Sequence, residues 1–188
     1  AEARAAIKEH PKSVVAVRHW FIGGDQRWLS SIGYTREMED ILFARARWPE
    51  NGYNLFEIGA TMHENPNHWF DPIAESNCLF VPNDLWRRIG GMDEGFDIPG
   101  GGFCNLDLLR RAGKQSEQGV TCLLGEATFH QFHEGTTTNV TDAEKDARVR
   151  SYASTYRAMR GEDFANINTQ DFRVRGRMHH YRAYSSRQ

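Results

Sequence analysis

Between Ile89 and Arg111 the chain runs IGGMDEGFDIPGGGFCNLDLLRR, and no other stretch restricts the fold as tightly. Paired glycines, Gly90-Gly91, precede two carboxylates, Asp93 and Glu94. Pro99 then leads three consecutive glycines, Gly100, Gly101 and Gly102. Such glycine runs supply backbone angles that other residues avoid, and they let a ligand approach the main chain. Directly behind them Asn105 and Asp107 lead into an apolar-basic run, Leu108 to Arg111, that reads as a helix start. A carboxylate and an amide placed there can meet the hydroxyls of a polar ligand. The glycines alone are equally consistent with a plain surface turn before a helix.

The rest of the chain supplies an α/β frame for this loop. Ala1 to His10 is helical in propensity and ends at Pro11. Ser13 to Val17 is a short β-branched run that reads as a buried strand. Thr35 to Arg47 reads as an amphipathic helix, its acids early and its arginines late, as the helix dipole favours. Ile73 to Val81 reads as a further strand, central in the sheet, with Glu75 and Asn77 on one face by the two-residue repeat. Pro82 pre-sets a short helix, Asn83 to Ile89, closed by Gly90. After a helix over Leu106–Arg111, Gly113 to Gly119 reads as a polar loop and Val120 to Leu124 as another buried strand. Thr141-Asp142-Ala143-Glu144 fits a capping box, with a helix to about Met159. Phe172 to Arg175 alternates like an edge strand, and the basic tail behind it carries His179-His180.

At 188 residues the chain fits one domain and can bury a core without disulfides or metals. No apolar run approaches the roughly 18 residues of a membrane-spanning helix, and no signal peptide is evident at the start. Cys78, Cys104 and Cys122 are odd in number and widely spaced, which reads as reduced thiols in a cytoplasmic protein. A net charge of -2 gives no reason to expect nucleic acid as a partner.

The segment behind the last core strand, GEATFHQFHEGTTTN, holds the best metal-ligand candidates, His130 and His133. Their spacing of three suits a helical turn better than a strand face, which argues against both binding one ion. Thr136, Thr137 and Thr138 form a hydroxyl-rich loop suited to phosphate or sugar oxygens and equally consistent with an ordinary surface loop.

Taken together, GGMDEGF, PGGG, NLDLLRR and the later LLGEATFHQFHEGTTTN resemble the acceptor-side half of the GT-A-fold glycosyltransferases, in the family's order. The resemblance covers about a quarter of the chain. It implies an α/β fold with a GT-A-like mixed sheet flanked by helices. Residues 1–140 would form the acceptor and catalytic half, and 141–188 a C-terminal helix and tail packed on it. It further implies transfer of a sugar from a nucleotide-sugar to a carbohydrate or other hydroxyl acceptor, helped by Mn2+ or Mg2+ at His130 and His133. Asp107 and Asn105 would be the catalytic pair. Glu75, Asn77, Asp93, Glu94 and Gly100–Gly102 would face the acceptor, and Thr136–Thr138 the donor. Two departures stand out. The D-x-D pair that holds the donor's metal is absent from this sequence, as if the nucleotide-binding half were missing. Cys104-Asn105 also stands where inverting relatives carry Glu-Asp, and an amide cannot take a proton. These departures keep a non-catalytic carbohydrate- or nucleotide-binding module open as the alternative. A hydrolase built on His130, His133 and Glu126 is a more distant one. The basic tail could serve an oligomer contact.

Overall fold

The computed structural model describes residues 1–61, 68–70, 73–133, 135–137, 140–167 and 172–178. The chain is a mixed α/β fold with an open mixed sheet flanked by helices. Helix α1 (Glu2–Glu9) leads into the long strand β1 (Val14–Ile22), then helices α2 (Gln26–Ser31) and α3 (Arg36–Ala46). Two short strands, β2 (Gly59–Ala60) and β3 (Cys78–Phe80), precede α4 (Asn83–Ile89) and α5 (Cys104–Gln115). Strand β4 (Val120–His130), helix α6 (Asp142–Arg160) and strand β5 (Phe172–Gly176) complete the described elements.

β1 and β4 run parallel at the centre of the sheet. β5 lies parallel outside β4, while β2 and β3 both pair antiparallel with the other side of β1. Alternation along β1 decides which helices cover which face. Val14 and Ala16 pack with Leu85, Leu109 and Ala112 from α4 and α5, whereas Val15 and Val17 pack on Ala6 of α1. Farther along, Trp20 joins Phe56 and Trp69 in an aromatic cluster. Val17 stands opposite Leu123, Leu124, Gly125 and Glu126 of β4, a bulge that re-aims the second half of that strand.

The structure differs from the sequence-based expectation in three respects, the first two for a tertiary reason. Ile73–Val81 is not a central strand: only Cys78–Phe80 pairs, on the outer side of β1. Upstream of it the Ser76 hydroxyl accepts from Val17 N–H at 3.3 Å and donates to Val17 O at 2.7 Å, so a side chain replaces ladder bonds. Gly113 belongs to α5 and not to a loop. It packs beneath Ile167, where a Cβ would lie 2.5 Å from Ile167 Cδ1. Both long strands also continue past the apolar runs that mark them, β1 through Ile22 and β4 through His130.

The capping box of α6 is formed, with Thr141 and Glu144 bonded reciprocally, and the helix ends on left-handed Gly161. α6 is fixed to the body through Tyr156, which is fully buried and accepts from Arg110 Nη1 at 2.7 Å. β5 is tied to α1 by Arg175, which pairs with Glu2 and Glu9. Among the described residues no helix is long and apolar enough to cross a membrane. The tail beyond Met178, including His179-His180 and the expected oligomer contact, lies outside the described residues.

Candidate functional site

Beside β3 lies a cleft of about 470 Å3. Ser76 and Asn77 form one wall with Leu79 and Val81, and Trp86, Met92, Asn105 and Leu108 form the other. The acceptor-side candidate Asn77 and the catalytic candidate Asn105 thus come from separate parts of the chain to one cavity. Trp86 and Met92 are 40% and 46% exposed at its rim.

Asn105 and Asp107 do not share it. Residues two apart on a helix point about 200° away from each other, and here Asn105 is exposed while Asp107 is fully buried. The Asp107 carboxylate is enclosed by two guanidinium groups. Oδ2 accepts from Arg111 Nε at 2.6 Å and Arg160 Nη2 at 2.8 Å, and Oδ1 accepts from Arg160 Nε at 2.7 Å. Burial pushes its pKa up, but the hydrogen bonds from Arg160 and Arg111 outweigh that and hold it below the usual value. Arg160 also donates to Asp93 Oδ2 at 2.7 Å, and Asp93 Oδ1 accepts from Gly95 N–H at 2.9 Å. The Gly95 amide is the main cause of Asp93's lowered pKa, followed by Arg160. Arg111 donates to Ile89 O and Gly91 O. The network therefore ties the opening turn of the glycine-rich stretch to α5 and α6. Glu94 is exposed outside it.

Gly100, Gly101 and Gly102 do not line the cleft. Gly100 packs against the Thr136 side chain, Gly102 approaches Ile98 and Tyr152, and Tyr152 donates to Pro99 O at 2.9 Å. Thr136 O accepts from Arg148 of α6, and both Thr136 and Thr137 are half-buried. The loop behind β4 therefore rests on the glycine turn. Thr138 lies outside the described residues.

The histidines gather elsewhere, near the C-terminal ends of β1 and β4, where α/β sheets commonly bind ligands. Sequence spacing argued against their sharing an ion, but the chain leaves β4 at His130 and brings His133 back over it. Their Nε2 atoms stand 2.9 Å apart. His130 lies opposite Phe21 in the ladder, and His19 lies two residues earlier on the same face of β1. His19 Nε2 is 3.8 Å from Glu75 Oε1. His19 Nδ1 and the facing Thr128 Oγ1 are enclosed, with no hydrogen-bond partner among the described residues. Burial lowers the His19 and His130 pKa values, assisted at His19 by Arg18 and at His130 by His133 and His19. Burial alone raises that of Glu75. The paired Nε2 atoms could act as two ligands of one ion. Among the described residues no group of three or more His, Cys, Asp or Glu side chains is placed to hold a metal. Glu126 instead accepts from the Tyr53 hydroxyl at 2.7 Å.

Trp86 and His19 escaped the sequence reading, though each left a signal. Leu85 and Trp86 are neighbours in a short helix, so only one can face the core, and a tryptophan next to Gly90-Gly91 was the one left outside. His19 continues the alternation of β1 beyond its apolar half.

The chain matches no known protein-family profile, no curated protein and no solved structure.

Proposed function

We propose that this chain is the acceptor-binding and catalytic half of a GT-A-like glycosyltransferase, moving a sugar from a nucleotide-sugar to a hydroxyl acceptor. One observation carries the reading: Asn77 and Asn105 meet in a single cleft beside the exposed ring of Trp86. A carboxamide both donates and accepts, so each can hold a hydroxyl in either sense. Asn105 cannot take the acceptor's proton, and the Asp107 carboxylate is turned into its arginine pairs. That arrangement accords with a retaining reaction more than with base-assisted inversion. Thr136, backed against Gly100, and its neighbour Thr137 would lie on the donor side. His130 and His133 would offer two ligands to Mn2+ or Mg2+, with the rest drawn from the donor. The ion would neutralise the leaving diphosphate.

The second reading, a non-catalytic saccharide-binding module, is favoured by one specific fact. Among the described residues the cleft is lined by no carboxylate or histidine. To separate the two, the longest product of the gene is incubated with nucleotide-sugars, pyranoside acceptors and Mn2+, and products are followed by mass spectrometry and NMR. Transfer with a retained anomeric configuration, weakened in Asn105→Ala, is the expected outcome. Acceptor binding with no transfer from any donor would leave the module.

A further inference from the structure

The lining of the cleft defines the kind of molecule it takes. Among the described residues its polar side chains are Asn77, Asn105 and Ser76, and the Ser76 hydroxyl is already engaged with Val17 O and Cys78 O. Among the described residues no acidic or basic side chain lines it. A phosphate, a diphosphate or a uronic acid would lose water there and meet no cation, which is strongly unfavourable. An ammonium sugar would likewise find no carboxylate. A wholly apolar ligand fits no better, because it would cover two carboxamides and leave them unpaired. What suits such a lining is a neutral molecule with one apolar face and a hydroxyl-bearing edge.

Trp86 supplies the surface for that apolar face. Its indole is held from behind by Gly91, where a Cβ would stand 2.8 Å from Trp86 Cζ2. Gly91 N–H also donates to Trp86 O at 3.1 Å, which keeps the Gly91 main chain against the turn that carries the ring. The exposed part of the ring faces the cleft beside Met92, whose flexible thioether can follow the outline of a ligand. A rigid aromatic platform set in advance loses little freedom on binding. The volume lies within the range of small-ligand pockets, about 300–1,000 Å3.

We propose that the cleft binds a neutral hexopyranoside, its C–H face on Trp86 and its hydroxyls toward Asn77 and Asn105. This rests on the assignment of the cleft as the acceptor side and adds the class of acceptor. Calorimetry with methyl glucopyranoside, methyl galactopyranoside, methyl glucuronide and methyl glucosaminide tests it. At least one neutral glycoside binds, and the two charged congeners bind about tenfold more weakly or not at all. Trp86→Ala weakens binding about five- to tenfold, and Trp86→Phe retains most of it. Asn77→Ala and Asn105→Ala each weaken it by about two- to tenfold. Circular dichroism checks that each variant folds; should Trp86→Ala fail, Trp86→Leu against Trp86→Phe isolates the ring. Equal or tighter binding of the glucuronide, unchanged binding in folded Trp86→Ala or Trp86→Leu, or no binding of either neutral glycoside overturns the proposal. The expected pattern without any transfer removes the transferase and keeps the saccharide cleft. Transfer with an unaltered KM in Trp86→Ala does the reverse.

Discussion

Asp107 and Glu75 are both carboxylates drawn partly or wholly out of water, and the fold treats them in opposite ways. Asp107 is surrounded by Arg111 and Arg160, which hold it ionised. Glu75 faces a histidine that burial keeps neutral, and burial raises its own pKa. The first region uses charge to fasten α5, α6 and the Asp93 turn. The second collects groups whose pKa values shift toward each other, the usual condition of a site that exchanges protons or binds a ligand. Sequence placed both among the candidates for chemistry, and only the partners tell them apart.

Removing the Asp107 carboxylate is expected to give the largest effect. Asp107→Ala leaves Arg111 and Arg160 facing each other across a buried space and destabilises the fold by about 3–5 kcal/mol in urea unfolding. A loss below about 1 kcal/mol would show that the network is not a fastening. Arg160→Met comes next, at about 1–3 kcal/mol, because Asp107 keeps Arg111 and Asp93 keeps the Gly95 amide. Acid unfolding should then separate the regions by pH. His19 and His130 have folded pKa values below the unfolded one. Protons therefore favour the unfolded chain as pH falls from about 6.5 toward those folded values. Asp93 and Asp107 are also depressed, so their contribution is present above about pH 4 and is lost only as pH falls through their folded values. Two acid steps are expected, and the double variant His19→Asn/His130→Asn should lose the upper one alone. Glu75→Gln is the mildest change, below about 1 kcal/mol. Its sign follows from the raised pKa: the variant gains relative to wild type as pH rises above about 4.5, where the buried carboxylate would have to ionise. A variant that instead loses stability with rising pH would place Glu75 with Asp107.

Local signals in the sequence were legible where the physics is local. The Thr141–Glu144 box, the end of α4 at Gly90 and the placement of the edge strand at Phe172 depend on residues a few positions apart. The 200° between Asn105 and Asp107 is available from helix geometry alone, and it separates two residues that the N-x-D spacing assigns to one site. Other features could not be read along the chain. Ser76 ends a strand early by binding Val17, and Gly113 stays helical beneath Ile167, both across more than fifty residues. The meeting of Asn77 with Asn105, and of His130 with His133, depends on how β3, α5 and the end of β4 settle in three dimensions.

The three glycines after Pro99 look interchangeable in the sequence, but inheritance would not treat them alike. Gly101 has a positive φ of 69° and open surroundings, its nearest would-be neighbour 3.9 Å away, so asparagine, which tolerates such a φ, is the substitution best suited there. Gly100 has a similar φ of 79° but is pressed against Thr136, and Gly102 (φ 52, ψ -124) has a conformation that only glycine adopts readily. Over generations of drift the middle glycine should be the one that changes. An exchange at Gly100 would persist only alongside a smaller residue at position 136, so the two positions would vary together.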